Sequence, residues 1–163
     1  MNRKYLIISF LCILITLAGC SGINSKQKNI YTNNKQIAEE ADTYTYLTYL
    51  NRIDSIDSTE KINQISLEFS KLYGTDTLWN IESTGKHELQ LSYNSEISKG
   101  KFKAVLVTTK EEVLNLFEGT DEGIIEMDLE EGRYRLKIVG QDAKGKIQID
   151  IGGNTNIELE KNE

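Results

Sequence analysis

The sequence predicts a mainly β protein, an antiparallel β-sandwich of seven or eight strands preceded by a short helical segment. Two observations carry this. From Thr77 onward, apolar and polar residues alternate with a period of two in stretches at 78–83, 88–93, 102–108, 113–117, 124–130, 133–139, 146–151 and 156–160. Between them stand Gly85, Gly100, Gly119, Gly123, Gly132, Gly140, Gly145 and the pair Gly152-Gly153. Short alternating strands separated by regular turn signals indicate an antiparallel sandwich or barrel.

The chain opens with two basic residues, Arg3 and Lys4, and no acid, followed by an apolar run of 13 residues from Tyr5 to Leu17. A charged start and a short apolar stretch are the parts of a secretory signal. The run is shorter than the roughly 20 residues a membrane-spanning helix needs. Leu17-Ala18-Gly19-Cys20 then resembles the lipobox of bacterial lipoproteins, with leucine at the third position before the cysteine and small residues between. The resemblance implies cleavage before Cys20, a diacylglyceryl group on its sulfur, and a location on the extracytoplasmic face of the cell membrane. It also implies that Cys12 leaves with residues 1–19 and that Cys20 is alkylated, so the mature chain carries no thiol and no disulfide.

Residues 20–34 follow as a lipidated cysteine and a polar tether without period, reaching roughly 20 Å root-mean-square. Residues 35–76 are expected to be helical and to pack on the sandwich at 77–163. Ile62, Ile65, Phe69 and Leu72 recur at spacings of three and four, with Asp57 or Ser58 as a cap, Glu60 in the first turn and Gly74 at the C-cap position. The stretch 43–50 (TYTYLTYL) is ambiguous. Its residue types favour a strand, while Ile37, Ala41, Tyr44, Leu47 and Leu50 also make a helical stripe, and the helix is preferred.

A tight turn at Glu131-Gly132 predicts a hairpin. It pairs Leu129 with Tyr134, Met127 with Leu136 and Ile125 with Ile138 on a core face. The other face pairs Glu130 with Arg133, Asp128 with Arg135 and Glu126 with Lys137, because a one-residue slip would exchange core and solvent. The stretches 100–107 and 131–140, followed by Ala143-Lys144-Gly145, resemble the sandwich domains of small uncharacterised lipoproteins of Gram-positive bacteria. The second stretch also resembles, more faintly, the closing strands of bacterial pre-peptidase C-terminal domains. These resemblances imply the fold and bring no activity or site residue with them.

Removing residues 1–19 leaves 144 residues, enough for one domain. It takes away two of the 19 basic residues and none of the 25 acidic ones, so the remainder carries a net charge of −8. That excludes a nucleic-acid partner, which needs clustered Lys and Arg. It also argues against a broad electrostatic grip on anionic lipids, leaving the lipid on Cys20 as the link to the membrane. The single histidine, His87, has no second histidine or thiolate with which to build a zinc site or a triad, and reads as a half-exposed strand residue. Asp121 and Glu122, with Glu126, Asp128 and Glu130, suggest calcium, yet the hairpin assigns three of them to basic partners and leaves two in a glycine-flanked loop. Tyr44, Tyr46, Tyr49 and Trp79 suit either a sugar-binding platform or a packed layer, and packing is favoured.

No catalytic, cofactor or metal residue is therefore expected, and no cofactor. The expected function is that of a non-catalytic binding or accessory module at the membrane surface, engaging an envelope protein or glycan. The alternative is a carbohydrate or peptidoglycan recognition module. An exposed aromatic strip would favour sugar, and a contiguous aliphatic patch a protein partner.

Overall fold

The structure, a computed structural model, describes residues 23, 25–39, 41–45, 48–56, 62–152 and 157–161. Eight antiparallel strands form one connected sheet. They are β1 Thr43–Thr45, β2 Thr48–Ile56, β3 Ile62–Ser83, β4 His87–Val107, β5 Val113–Glu118, β6 Asp121–Leu129, β7 Gly132–Ile151 and β8 Ile157–Lys161. Three of them run to 20 residues or more, against an ordinary strand of about five or six. These three lie side by side as β3-β7-β4 over most of their length.

Such long strands stay in one sheet because each is interrupted at the same level. Register shifts fall between Phe69 and Leu72 on β3 and between Ile97 and Lys101 on β4, both opposite residues 141–145 of β7. Lys71 (φ 52°), Gly100 (φ 75°) and Asp142 (φ 54°) adopt left-handed backbone at that level. A bulge inserts one residue and so reverses which side chains face inward beyond it. The buried positions show the reversal. On β4 they are Leu89 and Leu91, then Phe102, Ala104 and Leu106; on β7 they are Tyr134, Leu136 and Ile138, then Ala143, Ile147 and Ile149. The sheet folds along this line into two layers facing each other. One layer is β2, residues 62–70 of β3, 145–151 of β7, 87–97 of β4, and β6. The other is β1 and β8, 73–83 of β3, 132–141 of β7, 101–107 of β4, and β5. This is the expected antiparallel sandwich, with a single apolar core drawing on both layers. Aromatic rings bridge them: Phe69 stacks on Phe102 at 5.3 Å, and Tyr93 stacks on Phe117 at 4.0 Å.

The helical expectation for 62–73 is overturned, because these residues open β3. Ile65, Leu67 and Phe69 alternate inward as a strand, and the bulge at Lys71 carries Leu72 inward three residues after Phe69. A bulge inside a strand thus reproduces helical spacing. Residues 43–45 and 48–56 are strands as well, in line with their β-branched and aromatic content. Gly74 lies within β3 rather than at a helix end. Its φ is 110°, and a Cβ there would stand 1.7 Å from the Thr43 carbonyl oxygen, so glycine lets β1 cross. The expected caps Asp57, Ser58 and Glu60 lie outside the described residues, as do Tyr46, Cys12 and Cys20.

Helix does form, but at 25–38, across the end of the expected tether and the start of the expected helical segment. Helix α1 (Ser25–Asn29), a 3-10 turn (Ile30–Thr32) and α2 (Asn34–Ala38) bury Ile30, Tyr31, Ile37 and Ala38 against Val105, Val107 and Val139. These valines are the outward-facing residues of the second layer. The Asn33 side chain caps α2 by accepting from the Gln36 amide at 3.2 Å.

The Glu131-Gly132 hairpin does not form either. Strand β6 pairs with β4, setting His87 opposite Leu129 and Leu91 opposite Ile125, while β7 lies between β3 and β4. The inward residues were assigned to the right face, for Leu136 and Ile138 are fully buried and Met127 packs on the core. Their partners were wrong, because local turn geometry lost to the pairing of long strands. Arg135 and Lys137 consequently face the helical segment, not Asp128 and Glu126.

The fold line sets a stability prediction. A Cβ at Gly100 would stand 2.2 Å from the Asp142 carbonyl oxygen, whereas at Gly119, also with positive φ, it would meet nothing within 4 Å. Gly119→Ala therefore costs about 1–2 kcal/mol from backbone conformation alone, and Gly100→Ala costs clearly more. Urea denaturation of the two variants checks the order.

Candidate functional site

Each layer of the sandwich has an outer face. That of the second layer is covered by α1, the 3-10 turn and α2, and it is held by buried cations. The Lys137 side chain is fully buried and its Nζ donates to the Glu39 carbonyl at 2.6 Å and to Asp42 Oδ1 at 3.2 Å. Asp42 also accepts from the Thr77 amide at 2.8 Å and the Thr77 hydroxyl at 3.0 Å. Burial lowers the Lys137 pKa below its ordinary value, and Asp42 acts in the opposite direction. Arg135 donates to the Ala38 carbonyl and lies 3.4 Å from Glu111. Two cations thus meet the carbonyls where α2 ends, the end at which a helix favours positive charge. Tyr31 is fixed by its hydroxyl, which donates to Glu118 at 2.7 Å; burial and that acid raise its pKa.

The outer face of the first layer is open and forms a shallow groove of about 530 Å³, continuous with a second of about 430 Å³ through Glu68, Glu96 and Lys146. Strand register arranges its floor in three rows across β3, β7 and β4. They are Gln64–Asp150–Ser92, Ser66–Gln148–Asn94 and Glu68–Lys146–Glu96. Each row continues onto β6 or its leading turn: Ser92 pairs with Ile124 and Asn94 with Glu122, while the Thr120 hydroxyl bonds the Ile97 backbone beside Glu96. Several of these groups are oriented by one another. Lys146 sits 3.0 Å from Glu96, Gln64 donates to Asp150 at 3.3 Å, and Asn94 donates to Glu122 at 3.4 Å. Ile124, 66% exposed, adds one apolar contact at the rim. Strands about 4.8 Å apart give the floor a width of roughly 10 Å from β3 to β4. Such a floor offers amides and hydroxyls for hydrogen bonding and paired charges, with a net negative balance.

The other residues singled out in the sequence are dispersed. His87 is half-buried at the start of β4, five positions before Ser92 and so roughly 16 Å from the nearest groove residue of that strand. Asp121 accepts from the Tyr93 hydroxyl at 2.9 Å and from the Glu122 amide at 2.9 Å. Asp128 pairs with Lys86 at 3.2 Å, and Glu126 accepts from Gln90 at 2.9 Å. No three acids, histidines or cysteines converge on a metal position among the described residues. Trp79 is fully buried, as packing required, while Tyr44 is 48% exposed on β1. The Tyr49 side chain lies outside the described residues. Neither an aromatic strip nor a contiguous aliphatic patch appears among the described exposed residues, where Tyr44, Leu114 and Ile124 stand apart. The groove was missed because its residues are the polar half of strand alternation, and the Lys137–Asp42 pair because Asp42 precedes the sandwich in sequence.

No family model matches the chain, and no curated protein matches it. Among solved structures it is similar to a family 35 carbohydrate binding module from an environmental isolate, at 12% identity over 76% of this chain and 88% of that one, with a TM-score of 0.34. It is similar to the enzymatically active domain of tailspike protein 4 of bacteriophage CBA120, at 10% identity over 84% of this chain and 21% of that one, with a TM-score of 0.39. It is also similar to the C-terminal CBM6 of a marine laminarinase from Zobellia galactanivorans, at 13% identity over 68% and 99%, with a TM-score of 0.28.

Two lysine pairs test the distinction between clamp and groove. Lys137→Ala removes the buried cation from Asp42 and from the Glu39 carbonyl and costs about 3–5 kcal/mol. Lys146→Ala breaks a pair that is more than half exposed on both sides and costs less than about 1 kcal/mol. Chemical denaturation of both variants measures the difference.

Proposed function

We propose that the protein is a non-catalytic binding module, held by lipid on Cys20 at the extracytoplasmic face of the membrane, whose groove binds an uncharged carbohydrate chain of the cell envelope. The observation that carries the reading is the three-row floor of amides, hydroxyls and paired charges on the uncovered layer. Hydroxyl-rich ligands are matched by side chains that both donate and accept, as Asn94, Gln148, Ser66 and Ser92 do. Glu68, Glu96 and Asp150 outnumber Lys146 and disfavour anionic polymers. Glu96 and Asp150 are tied to Lys146 and Gln64, an arrangement that suits orientation of a ligand rather than proton transfer. Ile124 at the rim supplies a surface for the apolar face of a sugar ring.

The groove is tested with the lipidated full-length protein in detergent, titrated calorimetrically with neutral envelope oligosaccharides. Asn94→Ala combined with Gln148→Ala removes two hydrogen-bonding groups and weakens binding about ten-fold, at about 0.5–1.5 kcal/mol each, with an unchanged melting temperature. Equal binding by this double variant refutes the groove as the site.

The anchor is tested separately. Cys20→Ala abolishes incorporation of labelled fatty acid and leaves residues 1–19 attached. Normally processed, membrane-held Cys20→Ala protein would refute the attachment.

A further inference from the structure

The sequence is net acidic, yet the fold sorts its charges. Residues 70–73, 97–101 and 141–145 make up the fold line and contain four lysines, Lys71, Lys99, Lys101 and Lys144, against one acid, Asp142. All four lysines are exposed. Asp142 is already engaged, 2.9 Å from Lys99 and hydrogen-bonded to Tyr73. The start of the helical segment docks at the same end, where Gln141 donates to the Lys28 carbonyl at 3.0 Å, so exposed Lys28 joins the cluster. Lys101 and Lys103 lie 5.8 Å and 5.0 Å from the centre of the Tyr31 ring, with Glu118 on its hydroxyl. Only four residues lie between Cys20 and Ser25, a span of at most about 18 Å.

We infer that this folded end of the sandwich, centred on Lys71, Lys101 and Lys144, is a membrane-facing surface that takes the headgroups of anionic phospholipids. The inference rests on the lipid attachment at Cys20, which brings this end of the domain closest to the bilayer. Each lysine near an anionic leaflet strengthens association about five-fold and acts within a Debye length of it. A net charge of −8 over the mature chain repels such a leaflet, so a local concentration of lysine near the anchor sets which end turns toward the lipid.

The test uses full-length lipidated protein in vesicles of phosphatidylcholine alone or mixed equally with phosphatidylglycerol. A membrane-impermeant amine-acetylating reagent is followed lysine by lysine with mass spectrometry. Lys71, Lys101 and Lys144 are expected to react several-fold more slowly on the anionic vesicles, with the protection lost at high salt. Lys86 and Lys110, in turns at the far ends of the long strands, are expected to react equally on both. Lys101→Glu combined with Lys144→Glu, both exposed, removes the remaining protection of Lys71. Equal reactivity of the three lysines on both vesicles, equal protection of Lys86, or protection by glycerol phosphate without vesicles overturns the inference. Failure of the anchor itself is distinguishable, because the protein then does not float with the neutral vesicles.

Discussion

Everything in this fold depends on three bulges lying side by side. A bulge in one strand bends that strand; three at one level across hydrogen-bonded neighbours bend the sheet. Because the same three strands pass through the fold line, the two layers share a backbone. The reversal of side-chain facing at the line keeps the core continuous, so that Leu89 and Leu91 on one side and Phe102, Ala104 and Leu106 on the other all point inward. Glycine at position 100 is required by close approach, since the Asp142 carbonyl occupies the space of a Cβ.

Folding one sheet in two leaves two outer faces, and the chain treats them differently. On the second layer Val105, Val107 and Val139 face outward, an apolar strip that must be covered. The helical segment covers it, and Arg135 with Lys137 satisfies the carbonyls at its end. A buried lysine is costly unless paired, and the Glu39 carbonyl and Asp42, itself held by two bonds from Thr77, pair it. On the first layer the outward residues of β3, β7 and β4 that make the groove floor are polar, with Ile124 at its rim, and the face stays open. The groove and the clamp are thus the same structural position on opposite layers, separated by side-chain chemistry alone.

Much of this was legible in the sequence, and the exceptions have physical reasons. Strand alternation from Thr77 onward marked the sandwich and the inward positions Leu136, Ile138 and Met127. Segment 62–73 was misread because Leu72, displaced by the bulge at Lys71, falls at helical spacing from Ile65 and Phe69. The 131–132 turn suggests a local hairpin, whereas β6 and β7 each find β4 across tens of residues. Polar residues at 25–34 resembled a tether because only Ile30 and Tyr31 are apolar there, and what they pack on lies more than 70 residues away. The groove residues were visible as the polar half of the alternation, but their assembly into rows is a property of register between distant strands. The lysines of the fold line were hidden in a net negative total.

The central position of β7 has a consequence for the order in which the protein can fold. Strands β3 and β4 touch one another nowhere along the sheet path; β7 joins them in both layers. Its pairing with β3 reaches from Gln64 to Asp150, and contacts so distant along the chain close slowly. A nascent chain ending before Gly132 holds only local pairings, such as β2 with β3 and β4 with β5 or β6, and has no interior strand to unite them. Closure must therefore wait for β7. A chain in that condition remains threadable through a narrow pore until β7 has been made, and acquires its compact form afterwards.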